Sequence, residues 1–99
     1  MTTKRWLFDV PPDAAVVTTS YVTGQRMPIL YVSHGFDEEE GVTWQFHCDN
    51  DDFSTAVLQL VRLDEVLRLD AGLDALATLP LGHLARRSSA TAKWVIEKE

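Results

Sequence analysis

The chain has a single cysteine, Cys48, so no intrachain disulfide can form and folding does not depend on an oxidising compartment. No run approaches the roughly 18 apolar residues that a membrane-spanning helix requires. The opening MTTKRWLFDVPPD carries two bases but no apolar h-region, so no signal peptide and a cytoplasmic location are expected. The five glycines are isolated, which excludes a glycine-rich phosphate loop. Bases are scarce: nine Lys and Arg stand against fifteen Asp and Glu, a net charge of −6. Phosphate contacts need clustered Lys and Arg, so neither nucleic acid nor an anionic membrane surface is an expected partner.

What is present suits one small domain. Ninety-nine residues, 45% hydrophobic and 24% charged, can build a single two-layer core. Residues 1–13 form a leader closed by Pro11-Pro12-Asp13. In it Trp6 and Phe8 alternate with other residues as a short edge strand would. Residues 14–19 (AAVVTT) are rich in β-branched side chains and read as a strand. Gly24-Gln25-Arg26 then turns the chain.

Residues 28–34 (PILYVSH) are nearly all apolar, as in a strand covered on both faces. Residues 42–48 (VTWQFHC) alternate, with Val42, Trp44, Phe46 and Cys48 on one side and Thr43, Gln45 and His47 on the other. These two strands predict a hairpin across the polar loop Asp37-Glu38-Glu39-Glu40-Gly41. A turn at Asp49-Asn50-Asp51-Asp52 leads to a strand over 56–61. The period then changes to helical: Leu63, Val66 and Leu67 form one stripe, and Asp70 caps a second short helix bearing Leu73, Leu76 and Ala77, ended by Pro80 and Gly82. Strands over 83–87 and 92–96, with a turn at Ser88-Ser89, close the chain. The fold class is α+β: a mostly antiparallel sheet of about five strands with two short helices packed on one face.

His47 and Cys48 are neighbours in a strand and point to opposite faces, so they cannot easily share a metal ion, and there is no CxxC or HxxxH spacing. The acidic turn fails the calcium-loop template, because Phe53, Ser54 and Leu60 fall at the fifth, sixth and twelfth positions from Asp49. No nucleophile signature surrounds Cys48. No cofactor or metal is therefore expected, and the chain reads as non-enzymatic. Arg86 and Arg87 can bind carboxylates, with an internal ion pair to the acidic excess the plainer use.

The charge asymmetry is the strongest lead. Residues 1–52 hold nine acids and three bases, whereas 53–99 hold six of each, so the whole excess lies in the first half. Asp37, Glu38, Glu39, Glu40, Asp49, Asp51 and Asp52 fall in one stretch with no Lys or Arg. The seven residues of the intervening strand span about 23 Å, so Glu38 and Asp51 belong to opposite ends of the sheet. Such a field steers a basic protein partner, a nuclease toxin for instance, and the aromatics Phe36 and Phe53 beside the acids would anchor it. Two further readings stay open: a ligand-binding or catalytic face made of Thr43, Gln45 and His47 beside Gln59, and a homo-oligomeric accessory domain paired through a sheet face or edge.

Several segments together resemble a known family. They are Thr18-Thr19, Ile29 to His34, Trp44-Gln45-Phe46, Leu63 to Asp70, Leu79-Pro80-Leu81-Gly82, Ala85-Arg86 and Trp94. The chain resembles, over roughly residues 14–97, a small bacterial family first described as a domain of unknown function. That family was later grouped with predicted immunity proteins of polymorphic-toxin systems (immunity family thirty-three). It departs from that pattern at His83 and Arg86-Arg87, where aromatics are usual, and at Arg62, where a helix-capping serine is expected. The resemblance implies a small intracellular bacterial protein that neutralises a toxin, and it transfers no catalytic residue.

Overall fold

The computed structural model describes residues 6–52 and 54–98. Six strands form one sheet: β1 (Ala15–Thr19), β2 (Tyr31–Asp37), β3 (Gly41–His47), β4 (Leu58–Arg62), β5 (His83–Arg86) and β6 (Val95–Lys98). Three short helices join them: α1 (Ser20–Thr23), α2 (Leu63–Leu69) and a 3₁₀ helix (Ala71–Leu76). The spatial order is β4-β1-β3-β2-β5-β6. Every pairing is antiparallel except that of β1 with β3. The α+β class is as the sequence predicts, with one more strand and one more helix.

The expected hairpin forms, but its strands are shifted. Pairing runs from Tyr31↔His47 to Asp37↔Gly41, so β2 starts three residues later than Pro28 and runs on to Asp37. Register assigns the faces, because paired residues point the same way. Val32 and Phe46 share a side with Ala85 of β5, and His34 pairs with Trp44 on that side. Leu63 and Val66 of α2 and Leu73 and Leu76 of the 3₁₀ helix join these residues in the core. Burying each such side chain contributes about 1.5–3 kcal/mol.

The described part of the leader is not a strand. Residues 6–10 are irregular, and Phe8 packs edge-on against Trp44 at 5.1 Å. Alternation at two positions cannot distinguish a strand from a segment laid across a core. Asp9 ties this segment down: its carboxylate accepts from Trp44 Nε1 at 2.9 Å and contacts His34 Nε2 at 2.8 Å. The other His34 nitrogen lies 2.6 Å from the Leu79 carbonyl, and the ring stacks on Trp44 at 3.9 Å.

The helical expectations hold closely. The first turn of α2 carries Asp64 and Glu65, which complement the positive end of its dipole. Its N-cap, Arg62, makes no side-chain cap and instead pairs with Asp64 at 2.9 Å. Asp70 caps the 3₁₀ helix by accepting from the Gly72 N–H at 2.8 Å. The one-turn helix α1 has no counterpart in the sequence reading; it precedes the expected turn at Gly24-Gln25-Arg26, where Arg26 adopts φ 55°.

Candidate protein-binding site

The β2–β3 hairpin outreaches its neighbours. β5 pairs with β2 only as far as His34, whereas the hairpin continues through Gly35↔Thr43 and Phe36↔Val42 to Asp37↔Gly41. On the other side, β1 pairs with β3 at Val17↔Gln45 and begins only two residues earlier, at Ala15. Residues 36–42 therefore project from the sheet. The turn at 38–40 is closed by Asp37 Oδ1, which accepts from the N–H groups of Glu39 (2.8 Å) and Glu40 (3.0 Å). These bonds, that from Glu40 first, lower the Asp37 pKa from the ordinary carboxylate value, so its charge persists. Gly41 adopts φ +80°, a left-handed value that a side chain would strain.

The projection joins charge to apolar surface. Phe36 is 64% exposed and lies opposite Val42, itself exposed. Leu81, also exposed, sits near the base of the projection, where the Gly82 N–H donates to the His34 carbonyl at 2.7 Å. Glu38, Glu39 and Glu40 are all exposed beside this patch. Among the described residues no ion pair joins any acid of 37–52 to an Arg, Lys or His; the pairs present use Asp9, Asp64, Asp70 and Glu97.

The second acidic cluster is a different object. It lies at the far end of β3, as the strand length predicts, so the two clusters do not converge. Asp49 and Asp51 hold left-handed backbone (φ 61° and 64°). Asp52 accepts from Tyr21 Oη (2.7 Å), Ser54 N (3.1 Å) and Ser54 Oγ (2.8 Å). The Tyr21 bond, followed by those from Ser54, lowers the Asp52 pKa, and the same bond raises that of Tyr21. These residues shape a turn. The predicted anchor Phe53 lies outside the described residues.

Thr43, Gln45 and His47 share the sheet face opposite the helices, as expected. Gln59 does not join them. It pairs with Thr18 and bonds Thr23 Oγ1 at 2.6 Å, because β1 and not β4 is the neighbour of β3. Nor is His47 an exposed imidazole: it is 2% exposed, donates from Nε2 to Gln45 Oε1 at 3.0 Å, and meets the Tyr31 ring edge-on. Burial lowers its pKa, with Asp49 acting in the opposite direction. Cys48 is buried in the core.

A group whose folded pKa is depressed below the unfolded value of about 6.5 binds its proton more readily when unfolded, so acid favours unfolding. The His47 contribution is fully present above about pH 6.5 and is lost as the pH falls below it. The slope is at most about 1.4 kcal/mol per pH unit. Urea titrations from about pH 7.5 to pH 5 on the chain and on His47→Gln check this: the variant is expected to lose part of the acid sensitivity.

Neither arginine serves the acidic stretch. Arg87 is buried and bonded within the core to Ile29, Ala90 and Asp70. Arg86 lies over the Tyr31 ring at 5.0 Å and approaches Glu97 at 4.0 Å. Val42 and Leu81 are the site residues that sequence reasoning missed. Val42 shares a face with Trp44 as predicted but lies past the edge of the core, a fact available from hairpin register and not from alternation.

Compared with known proteins, the chain matches no family model, no curated protein and no solved structure. No helix among the described residues is long and apolar enough to cross a membrane.

Proposed function

We propose that this chain is a non-enzymatic protein-binding module whose β2–β3 projection engages a basic partner, and that it acts as an immunity protein covering a toxin. The observation that carries the reading is the projection itself: exposed Phe36 and Val42 beside four acids that have no basic counterpart among the described residues. Exposed aromatics supply the anchors of protein interfaces, and uncompensated charge of one sign accelerates encounter with a partner of the other. The family resemblance supports the toxin as the partner class. Within this reading we assign the patch to the first cluster, because Asp52 of the second bonds Tyr21 and Ser54 inside its own turn.

The test is co-expression with the product of the reading frame beside it in the genome, followed by measured association rates. Glu38, Glu39 and Glu40 changed together to Lys are expected to slow association at least about tenfold at low salt and to flatten its salt dependence. Phe36→Ser is expected to speed dissociation instead. No binding, or rates that neither change moves, refutes the reading.

A further inference from the structure

His34 is buried, and both of its ring nitrogens face oxygens that can only accept. Nδ1 lies 2.6 Å from the Leu79 carbonyl and Nε2 2.8 Å from Asp9 Oδ2. A neutral imidazole carries one N–H and one bare nitrogen, whereas an imidazolium carries two N–H groups. Only the charged ring can therefore donate to both partners. The indole of Trp44, stacked on the ring at 3.9 Å and 12°, also favours a cation there. Of the two acceptors, the Leu79 carbonyl is fixed, since Leu79 belongs to the buried core. Asp9 belongs to the irregular segment 6–10, and its side chain is 43% exposed, so protons reach the pair from solvent.

We infer that segment 6–10 is a pH-sensitive strap: it closes over the core when His34 is protonated and loosens when the ring is neutral. In the neutral ring Nδ1 keeps its proton, because the Leu79 oxygen cannot move away. The bare Nε2 lone pair then faces an Asp9 oxygen, and the contact turns from attraction to repulsion. Its loss weakens the hold on Phe8, which packs against Trp44, and on the Trp44 indole, whose Nε1–H donates to the other Asp9 oxygen. Loosening uncovers Phe8 and opens the groove that it lines with Leu67 and Ala77 on the helical side. Asp64, Arg68 and Asp74 line the same groove, and none of them bonds the ring. On the sheet, His83 of β5 pairs with His34 but turns Nδ1 to the Leu81 carbonyl at 3.2 Å, and Lys98 of β6 pairs with His83. β3 presents Trp44 to the ring and no charge. The sign is opposite to that of His47, whose burial disfavours the protonated form.

Solvent exchange of the Trp44 indole N–H, followed by NMR on the full chain at about pH 5.5 and about pH 8, on either side of the ordinary histidine range, tests this. Trp94, whose indole N–H donates to the Gly72 carbonyl at 3.2 Å, is the internal reference, and Trp44→Phe assigns the signal. After division by the Trp94 rate, Trp44 exchange is expected to be at least about tenfold faster at the higher pH, the worth of one charge-assisted hydrogen bond. Asp9→Asn separates the switch from a merely structural contact. Its amide oxygen still accepts from Trp44, and its amide N–H donates to the bare nitrogen of a neutral ring, so the pH dependence is expected to vanish or reverse. His47→Gln is expected to leave the dependence unchanged. A parent ratio that does not rise with pH, or a rise that persists in Asp9→Asn, overturns the inference. A rise abolished by His47→Gln overturns it too, by moving the titrating group to His47.

Discussion

Replacing Arg87 with methionine is expected to cost about 3 kcal/mol, a large share of the 5–15 kcal/mol that holds a domain of this size together. The guanidinium is buried, its side chain 2% exposed. Its Nε (3.0 Å) and Nη2 (2.8 Å) both donate to the Ile29 carbonyl, Nη1 donates to the Ala90 carbonyl at 3.0 Å, and Nη2 pairs with Asp70. The Trp94 ring lies 4.2 Å from its centre. One side chain therefore joins the segment before β2, the cap of the 3₁₀ helix and the approach to β6. Methionine fills much of the space but removes the donors to the Ile29 and Ala90 carbonyls and to one Asp70 oxygen, and an acceptor left unmet in the interior costs about 1–3 kcal/mol. Lysine cannot substitute, since a single ammonium lacks the planar fork that serves Ile29 and Asp70 together. With a urea slope near 2 kcal/mol/M the midpoint should fall by about 1.5 M, and a fall under about 0.5 M would show the network to be dispensable. Asp70→Asn should cost less, because it keeps an oxygen for the Gly72 N–H. Hydrogen exchange should report the damage first in β6, through the loss of Trp94.

A comparable loss is expected at the centre of the sheet. Trp44 is 1% exposed and is enclosed by Phe8, His34 and Phe46. Trp44→Ala should destabilise the fold by about 3–5 kcal/mol, the transfer and cavity cost of a buried indole. Trp44→Phe separates packing from hydrogen bonding: it keeps most of the apolar contact but removes the Nε1–H donor to Asp9. Asp9→Ala removes the same bond from the other side, together with the His34 contact, and should cost about 1–3 kcal/mol. If Asp9 is the staple of the leader, Trp44→Phe combined with Asp9→Ala should cost less than the sum of the two single changes. Additive losses, or an Asp9→Ala variant as stable as the parent, would mean that the leader is held by Phe8 alone. Equilibrium unfolding of the four proteins decides the matter.

Local patterns in the sequence anticipated local structure. The alternation of Val42, Trp44 and Phe46 placed the core face of β3, the Leu63/Val66 spacing placed α2, and Asp70 was recognised as a cap. The hairpin was legible because two strands separated by a few polar residues have little alternative but to pair. Strand ends were less legible: PILYVSH draws attention by its apolarity, yet pairing extends to Phe36 and Asp37, whose exposure gives no hydrophobic signal. Of the candidate site, Phe36 and the acids 37–40 were readable from composition. That they project, while Asp52 is bonded inside a turn, was not, because projection depends on where neighbouring strands stop.

The sequence alone determined the class of the fold, the hairpin, the helical stripe and the imbalance of charge, since each arises from contacts or periodicities within about ten residues. Only the tertiary structure decided that β1 lies between β3 and β4, that Gln59 is separated from Gln45, that His47 is buried, and that Asp9, His34 and Trp44 meet. Those outcomes depend on residues brought together across long loops, where the side-chain pattern of one strand fits more than one neighbour. The choice falls to the packing of the whole core, which no single segment encodes.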